Sequence, residues 1–254
     1  MNYSSELAQA IRAAQKAGNL QREFLSKNKI IEKKSDRSPV TQIDKESEEI
    51  IRDTLLGAFP DDGFLGEESG DHRGTSGRTW IVDPLDGTRP YIHGIFTFSV
   101  LIGLEEEGDM VVGVANFPGL NELYTASRGN GAFCGSTRLN VSSTAVLGDV
   151  FGSSYGFVEH HGTDLGERLM SVVRQWDYHY GFMDAYTYMN IAAGKIDACV
   201  NLCDKPWDCA AAACIVSEAG GRYTDITGDK TVRSNSIVLT NGHVHDEIIQ
   251  NLKM

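Results

Sequence analysis

The sequence lacks three features that mark whole classes of protein: a basic excess, a long apolar run and paired cysteines. It holds 23 Lys and Arg against 35 Asp and Glu, which gives a formal net charge of −12. Nucleic acids and anionic membranes attract basic surfaces, so this charge argues against both as partners. No apolar run approaches the roughly 20 residues that a membrane-spanning helix needs.

The cysteines and the first residues indicate a reducing compartment. The five cysteines do not form the CxxC pairs of a structural zinc site. Cys209 and Cys214 lie in an Ala-rich run, where we expect them to be buried free thiols. Glu6, Arg12 and Lys16 interrupt the apolar pattern near the start, unlike the core of a signal peptide. We therefore expect a soluble, cytoplasmic protein.

The sequence also lacks an internal repeat, a low-complexity tract and a dinucleotide-binding glycine loop. Gly129-Asn130-Gly131 predicts a hairpin turn instead, because Asn-Gly favours two-residue turns and no helical pattern follows. A chain of 254 residues can bury a large core, either as one domain or as two packed halves.

Hydrophobic periodicity predicts a chain that mixes helices and strands. Apolar residues at helical spacing predict an opening helix from about Leu7 to Leu25, and Asp44 is the predicted N-cap of a second helix. Alternating apolar residues predict antiparallel strands at 96–104, 111–117 and 122–126. From about Arg138, strands at 150–155 and 197–202 alternate with helices at 162–175, 185–193 and 208–220. That alternation predicts a mostly parallel sheet in the second half.

The most informative segment runs from Trp80 to Thr88 and reads WIVDPLDGT. Strand-forming residues lead into Asp83, and Pro84 ends the ladder because it has no N–H. The turn brings Asp86 back beside Asp83 and points the Leu85 carbonyl the same way. Two carboxylates and a carbonyl suit a hard divalent cation such as Mg²⁺.

A phosphate site is predicted directly after this turn. Gly87 and Thr88 lie where a helix can begin, so their amides are available to an anion. A capped turn, whose aspartates only accept backbone hydrogen bonds, is the alternative interpretation of this segment on its own.

Three further carboxylates lie where predicted elements begin or end. Asp44 opens a helix, Glu67 follows the short strand at 63–66, and Asp208 begins an Ala-rich helix. Taken singly, Asp44 and Asp208 are equally explained as helix caps. The neighbouring sequence favours a shared site.

Three blocks of the sequence resemble the signatures of the inositol monophosphatase family: Gly66-Glu67-Glu68-Ser69, the segment Trp80 to Thr88, and Trp207-Asp208 with Glu218 to Gly221 downstream. Members of this family are magnesium-dependent phosphomonoesterases. The resemblance implies an α/β fold, a layered αβαβα sandwich of the inositol monophosphatase and fructose-1,6-bisphosphatase type, and a homodimer. We expect residues 1–137 to form an α+β half with most metal ligands. Residues 138–254 would form an α/β half that supplies Asp208 and the substrate pocket, packed with the first half as one unit.

The resemblance implies two to three Mg²⁺ ions in each active site. Glu67, Asp83 and the Leu85 carbonyl would hold one ion, whereas Asp83, Asp86 and Asp208 would hold the second. Paired ions suit phosphoryl transfer, which needs charge neutralisation and alignment more than covalent chemistry.

The resemblance also implies roles around the attacking water and the phosphate. Asp44 would help to place a third ion or its water, and Thr88 with Glu67 would orient the attacking water. The amides of Gly87 and Thr88 would bind the phosphate of a small monoester substrate.

Local motifs resemble the branch of the family that acts on histidinol phosphate. They are Lys34 to Thr41 with Asp44, Asp184 to Tyr188, Lys205 to Asp208, and Gly87-Thr88-Arg89. The first is shared with the branch that acts on adenosine 3′,5′-bisphosphate. Histidinol phosphate is therefore the favoured substrate, in a histidine-biosynthesis role, and inositol 1-phosphate is the alternative. Adenosine 3′,5′-bisphosphate and sugar bisphosphates are further alternatives.

One position departs from both leading branches. Seven residues before Asp208, where they usually carry an acid that binds substrate hydroxyl or amine groups, this chain has Asn201. An amide can bind hydroxyls but offers no full charge to an ammonium group. Asp184 would supply that charge if it reaches the pocket, and a helix cap is the alternative for it.

A non-catalytic sensor of a phosphate metabolite is the alternative from another functional class. All five acids and Thr88 are present, and a protein without catalysis has little reason to keep so many repelling charges. This favours the enzyme.

Overall fold

The computed structural model describes residues 2–25, 31–33, 39–181 and 184–253. This part of the chain forms one turn of 3-10 helix at Leu147–Asp149 and seven α-helices: α1 (Ser4–Phe24), α2 (Gln42–Ala58), α3 (Thr88–Ile92), α4 (Asp164–Val173), α5 (Asp184–Ala192), α6 (Pro206–Glu218) and α7 (His245–Lys253).

The first half of the described chain is dominated by one large sheet. A short antiparallel pair, β1 (Ile31–Lys33) and β2 (Pro39–Thr41), precedes it. The strands of the large sheet are β3 (Gly63–Gly66), β4 (Gly70–His72), β5 (Arg78–Asp86), β6 (Ser99–Glu106), β7 (Asp109–Phe117), β8 (Glu122–Ser127), β9 (Gly131–Cys134) and β10 (Thr137–Arg138). Their order is β10-β9-β8-β7-β6-β5-β3-β4, and every neighbouring pair is antiparallel except β3 with β5.

The second sheet is smaller and mixed. Its strands are β11 (Phe151–Tyr155), β12 (Tyr178–His179), β13 (Ala198–Asn201), β14 (Arg222–Thr224) and β15 (Ile237–Thr240), in the order β12-β11-β13-β15-β14. Strand β11 is parallel to β12 and β13, whereas β15 is antiparallel to both β13 and β14.

Helices and sheets alternate in five layers. Apolar residues of α1 and α2 cover one face of the large sheet, and those of α5 and α6 fill the space between the two sheets. Helices α4 and α7 cover the outer face of the small sheet. Each sheet is thus buried on both faces, which confirms the predicted layered αβαβα fold.

Helix α6 lies very close to the large sheet. A Cβ added at Gly103 would lie 2.9 Å from the Ala210 Cβ, and one at Gly113 would lie 2.5 Å from the Ala211 carbonyl oxygen. A larger side chain at either glycine would therefore push the helix away. Small residues on both surfaces set the distance at which the first turn of α6 reaches β5.

Several predictions about elements are confirmed. Helix α1 matches the periodic stretch from Leu7, and β6, β7 and β8 match the three alternating segments. Gly129-Asn130-Gly131 lies in the tight connection between β8 and β9, where Ser127 pairs with Gly131. All five cysteines are free, and Cys209 and Cys214 are buried as expected.

One prediction about elements is wrong, and another holds only in part. Four of the five strands of the small sheet, β12, β11, β13 and β14, run in the same direction, as predicted, but β15 enters between β13 and β14 and opposes both. No helix separates β14 from β15 in the described connection at 225–236, so the chain returns antiparallel. Asp44 is not the N-cap of α2, because the helix begins two residues earlier, at Gln42.

Residues 34–38 of the motif that begins at Lys34 lie outside the described residues, and Pro39–Thr41 forms β2. The proposed boundary between the two halves, after residue 137, falls within β10. No helix in the described ranges has the length and apolar character to cross a membrane.

Candidate active site

A β-bulge near the end of β5 places two carboxylates on one face of the large sheet. Asp83 pairs with Leu101, and Asp86 pairs with Ser99, so β5 contains one residue more than β6 between these two pairs. Side chains three residues apart in a regular strand point to opposite faces. The extra residue returns Asp86 to the face of Asp83.

The turn after the bulge depends on a glycine and a threonine. Gly87 adopts the left-handed conformation, with φ 74°, and α3 begins at the next residue. The Leu85 amide donates to Asp83 Oδ1 at 2.9 Å. The Thr88 hydroxyl lies 3.1 Å from the Leu85 carbonyl oxygen and 3.2 Å from Asp44 Oδ1. Asp44, although remote in sequence, is thereby tied to this turn.

Helix α2 supports the site through two buried acids one helical turn apart. Asp44 is only 1% exposed, and Glu48 is nearly as buried. Glu48 accepts hydrogen bonds from the Glu68 amide at 2.9 Å and the Ser69 amide at 2.7 Å. It thus holds the turn that carries Glu67, whose own amide donates to the Val82 carbonyl on β5.

Asp208 comes from the first turn of α6. Its Oδ2 accepts the Lys205 amide at 2.7 Å, as a capping box requires, and Pro206 starts the helix. The Asp208 and Asp83 carboxyls lie close enough for each to affect the ionisation of the other. The Asp208 side chain therefore caps α6 and is at the same time a residue of the candidate site.

Asp86 is held at the join between the two sheets. Its Oδ2 accepts the Ser99 hydroxyl from β6 at 3.0 Å and the Ala185 amide from α5 at 3.2 Å. Both donors contact the same oxygen, so they orient the carboxylate and leave Oδ1 to the cavity side.

The clustered acids disfavour one another's ionisation. Burial raises the pKa of Asp83, Asp86 and Asp208 well above the usual carboxyl range, and neighbouring carboxylates raise it further. Glu67 contributes to the shift of Asp83, and Asp184 contributes to that of Asp86. The predicted metal ligands are thus close enough to interact strongly.

The carboxylates of these acids suit a hard divalent cation, but in the described structure they do not converge on one point. Among the residues that the structure describes, no group of three or more His, Cys, Asp and Glu side chains has the arrangement that holds a metal ion. Carboxylates without a cation repel each other, and the charges of Glu67, Asp86 and Asp208 all raise the pKa of Asp83. A bound cation would relieve this repulsion, and the carboxylates supply the oxygen ligands that Mg²⁺ prefers.

Beside these acids lies a cavity of about 190 Å³ between the two sheets. Its walls are formed by Asp86, Tyr155, Asp184, Ala185, Tyr188, Asn201, Asp204 and Asp208. Asp184 has a positive φ of 45°, which few residues with a side chain adopt. Its Oδ2 would lie 3.1 Å from a Cβ added at Gly87, so it reaches the predicted phosphate turn.

Asn201 lines the cavity, but its amide group is committed within the protein. Its Nδ2 donates to the Tyr188 hydroxyl at 2.9 Å and to Asp204 Oδ1, and its Oδ1 accepts the Cys203 amide at 2.9 Å. Burial raises the pKa of Asp204 to about 7, and the charges of Asp86 and Asp184 add to the effect.

Sequence reasoning missed four residues that shape the site. Gln21 donates to the Pro84 carbonyl at 2.7 Å from the buried face of α1, and Ser99 holds Asp86. The other two are Glu48 and Asp204. Polar residues at otherwise apolar positions of a helix or strand were the available signal for Gln21, Glu48 and Ser99. Asp204 had none beyond its place four residues before Asp208.

Without metal, the protein is expected to lose stability as the pH rises from 7 to 8. Burial raises the pKa of Asp204 to about 7, and the pKa values of Asp83, Asp86 and Asp208 are raised well above the unfolded ones, so the folded state holds extra protons that it loses as the pH rises. Each such group contributes up to about 1.4 kcal/mol per pH unit. Urea unfolding in EDTA at both pH values measures the change.

The chosen window excludes the main opposing group. Burial lowers the pKa of His245 to about 4, so its contribution to stability rises with pH but is complete once an unfolded histidine is neutral, near pH 7. A free energy of unfolding that stays level or increases between pH 7 and 8 would contradict the close grouping of the acids.

Comparison with known proteins assigns residues 2–253 to the family that the sequence motifs resemble. Residues 2–253 match the model of the inositol monophosphatase family. A histidinol-phosphatase of Chlorobaculum parvum is 39% identical over 237 residues, which cover 89% of this chain and 88% of that protein. A protein of Thermotoga maritima named fructose-1,6-bisphosphatase/inositol-1-monophosphatase is 34% identical over 243 residues, with 95% and 93% covered.

A solved structure has the same fold as this chain over nearly all of its length. The crystal structure of the extragenic suppressor protein suhB from Bartonella henselae superposes with a TM-score of 0.86 and 33% identity, and covers 98% of this chain and 99% of that one. The family is generally metal-dependent, and its named relatives here are phosphatases. The chain therefore belongs to the inositol monophosphatase family and is a phosphoric monoester hydrolase.

Proposed function

We propose that the protein hydrolyses histidinol phosphate with Mg²⁺ as its cofactor. The observation that carries the proposal is that a bulge puts Asp83 and Asp86 on one face of β5, and that Asp86 and Asp208 line a cavity together with two further acids, Asp184 and Asp204. The first three suit metal-assisted hydrolysis, and the other two suit a substrate with positive charge.

Two to three Mg²⁺ ions are proposed for each site. Glu67, Asp83 and the Leu85 carbonyl would hold one, and Asp83, Asp86 and Asp208 the second. When bound, the ions would neutralise the buried carboxylates and supply the electrostatic stabilisation and water activation that phosphate monoester hydrolysis requires. Asp44 would contribute to a third, weaker position.

The side chains themselves position the other reactants. The Thr88 hydroxyl, which lies between Asp44 and the Leu85 carbonyl, can turn toward an attacking water and fix its direction together with Glu67. The amides of Gly87 and Thr88 would donate to phosphate oxygens, because the first amides of α3 have no partner within the helix. The carboxylates that close the cavity leave room for a small ester only.

Two observations support histidinol phosphate over inositol 1-phosphate. Asp184 and Asp204 bring negative charge to the cavity beyond the proposed metal ligands, and a neutral polyol needs hydrogen-bond partners but no countercharge. The most similar relative described above is also named a histidinol-phosphatase. Inositol 1-phosphate stays the alternative, because the Thermotoga relative carries that activity in its name.

A phosphate-release assay over four esters tests the proposal directly. With Mg²⁺ present, we expect histidinol phosphate to give the highest kcat/KM, ahead of inositol 1-phosphate, adenosine 3′,5′-bisphosphate and fructose 1,6-bisphosphate. A higher kcat/KM for one of the other three esters would make that ester the proposed substrate and would leave the phosphatase activity unchallenged. No release from any ester would favour a non-catalytic sensor.

A homodimer and a cytoplasmic location stay predictions. For the dimer contact we propose Tyr178 and Tyr180, which are 57% and 48% exposed at the edge of the small sheet.

A further inference from the structure

We propose that Asp204 determines substrate specificity by binding an ammonium group of the substrate, with Asp184 as a second carboxylate in the same cavity. The inference rests on the proposed function, because it explains how this chain would recognise the amine of histidinol phosphate. It gives Asp204 the main role in charge recognition, which the sequence analysis had placed at Asp184.

The hydrogen bonds around Asp204 favour its carboxylate form and offset part of the effect of burial. The Tyr188 hydroxyl donates to its Oδ2 at 2.6 Å, and the Asn201 amide donates to its Oδ1. Both partners are buried, and Asp204 itself is only 4% exposed. Each oxygen receives one donor from the protein and keeps acceptor capacity for a ligand in the cavity that Asp204 lines.

Asn201 cannot take this role itself. Its Nδ2 hydrogens donate to Tyr188 and Asp204, and its Oδ1 accepts the Cys203 amide. A substrate would have to break one of these bonds to gain a contact. The geometry instead makes Asn201 a positioning residue that orients the Asp204 carboxylate.

Asp204 is not needed to hold the proposed metal ions. Its carboxylate oxygens accept hydrogen bonds from Tyr188 and Asn201, and Asp204 is not one of the proposed metal ligands. A buried carboxylate without a countercharge costs several kcal/mol of desolvation. A cation delivered by the substrate would offset that cost at the moment of binding, whereas a neutral ester would not.

Two substrates and two variants test the inference. The substrates are histidinol phosphate and its analogue with hydrogen in place of the amino group, which differ only in the ammonium. The variants are Asp204→Asn and the exchange Asn201→Asp with Asp204→Asn, which moves the carboxylate by three residues but keeps the same side chains. Asp177→Asn, at an exposed position remote from the cavity, is the matched control.

The quantity measured is the ratio of kcat/KM for histidinol phosphate to that for the analogue. Asp204→Asn is expected to lower this ratio by about 30-fold or more, because it removes one partner of a buried charge pair. The exchanged variant should recover part of the ratio, and it keeps the test open if the single variant does not fold. The Asp177→Asn ratio should equal that of the unaltered enzyme.

The outcomes separate this inference from the proposed function. If the unaltered enzyme does not prefer histidinol phosphate to the analogue, the proposed substrate fails and the role of Asp204 fails with it. If the preference is present but Asp204→Asn retains it, only the role of Asp204 is overturned. An equal loss for both esters, or a raised Mg²⁺ requirement with an unchanged ratio, would make Asp204 a structural or metal-binding residue and would equally overturn the inference.

Discussion

Asp83→Asn is expected to lower kcat by about 10³-fold or more while the protein stays folded. Asp83 is 2% exposed and lies among Glu67, Asp86 and Asp208, which all raise its pKa. It is the one side chain proposed to contact both principal ions, so its charge has no substitute. Asparagine keeps the shape of the side chain, and the Leu85 amide can still donate to the remaining oxygen.

The same substitution should not destabilise the metal-free protein. It removes one of several mutually repelling buried carboxylates, so urea unfolding in EDTA should give a free energy equal to or above that of the unaltered chain. Asp177→Asn, at an exposed position, serves as the control for both measurements. Turnover of the Asp83→Asn protein within tenfold of the control would remove Asp83 from the reaction.

The metal turn was predictable because its information is local. From Trp80 to Thr88, the structure has the predicted strand, the left-handed Gly87 and α3 in that order, but the ladder does not end at Pro84 as predicted, because β5 pairs again at Asp86. The bulge itself was not predictable, since it is defined by the pairing of Asp83 with Leu101 and Asp86 with Ser99 on another strand.

The supporting residues were not predictable because their roles depend on the tertiary structure. Glu48 belongs to an acidic stretch in which Asp44, Ser47 and Glu48 are buried, and only the packing of α2 against β5 determines which side chains face inward. Asp204 lies in the loop before α6, and it becomes a cavity residue because α5 brings Tyr188 over it.

The strand order of the small sheet illustrates the same limit. The alternation of strands and helices correctly implies that β13 and β14 share a direction, but the position of β15 between them is a long-range choice. Strand β13 itself lies inside the sheet, between β11 and β15, and Asn201 at its end comes shortly before α6.

Saturating Mg²⁺ is expected to raise the melting temperature by about 5–10 °C over the protein in EDTA. At a free concentration one hundred times Kd, binding linkage adds about 2.7 kcal/mol to the free energy of unfolding, and a chain of this size gains about 2–4 °C per kcal/mol. The physical source is the group of buried acids, whose raised pKa values measure how strongly they resist ionisation together.

Thermal unfolding in EDTA with and without excess Mg²⁺, compared with the Asp83→Asn variant, distinguishes the site from general salt effects. The unaltered chain should show the full shift, and the variant should lose most of it, because the charge shared by both proposed ions is gone. The shift should also grow between pH 7 and 8, where a cation competes with fewer protons for the same oxygens. An equal shift in both proteins would place the stabilising ion elsewhere, since surface carboxylates are unaffected by the substitution. No shift in either would mean that these acids, although gathered by β5 and α6, do not form a metal site.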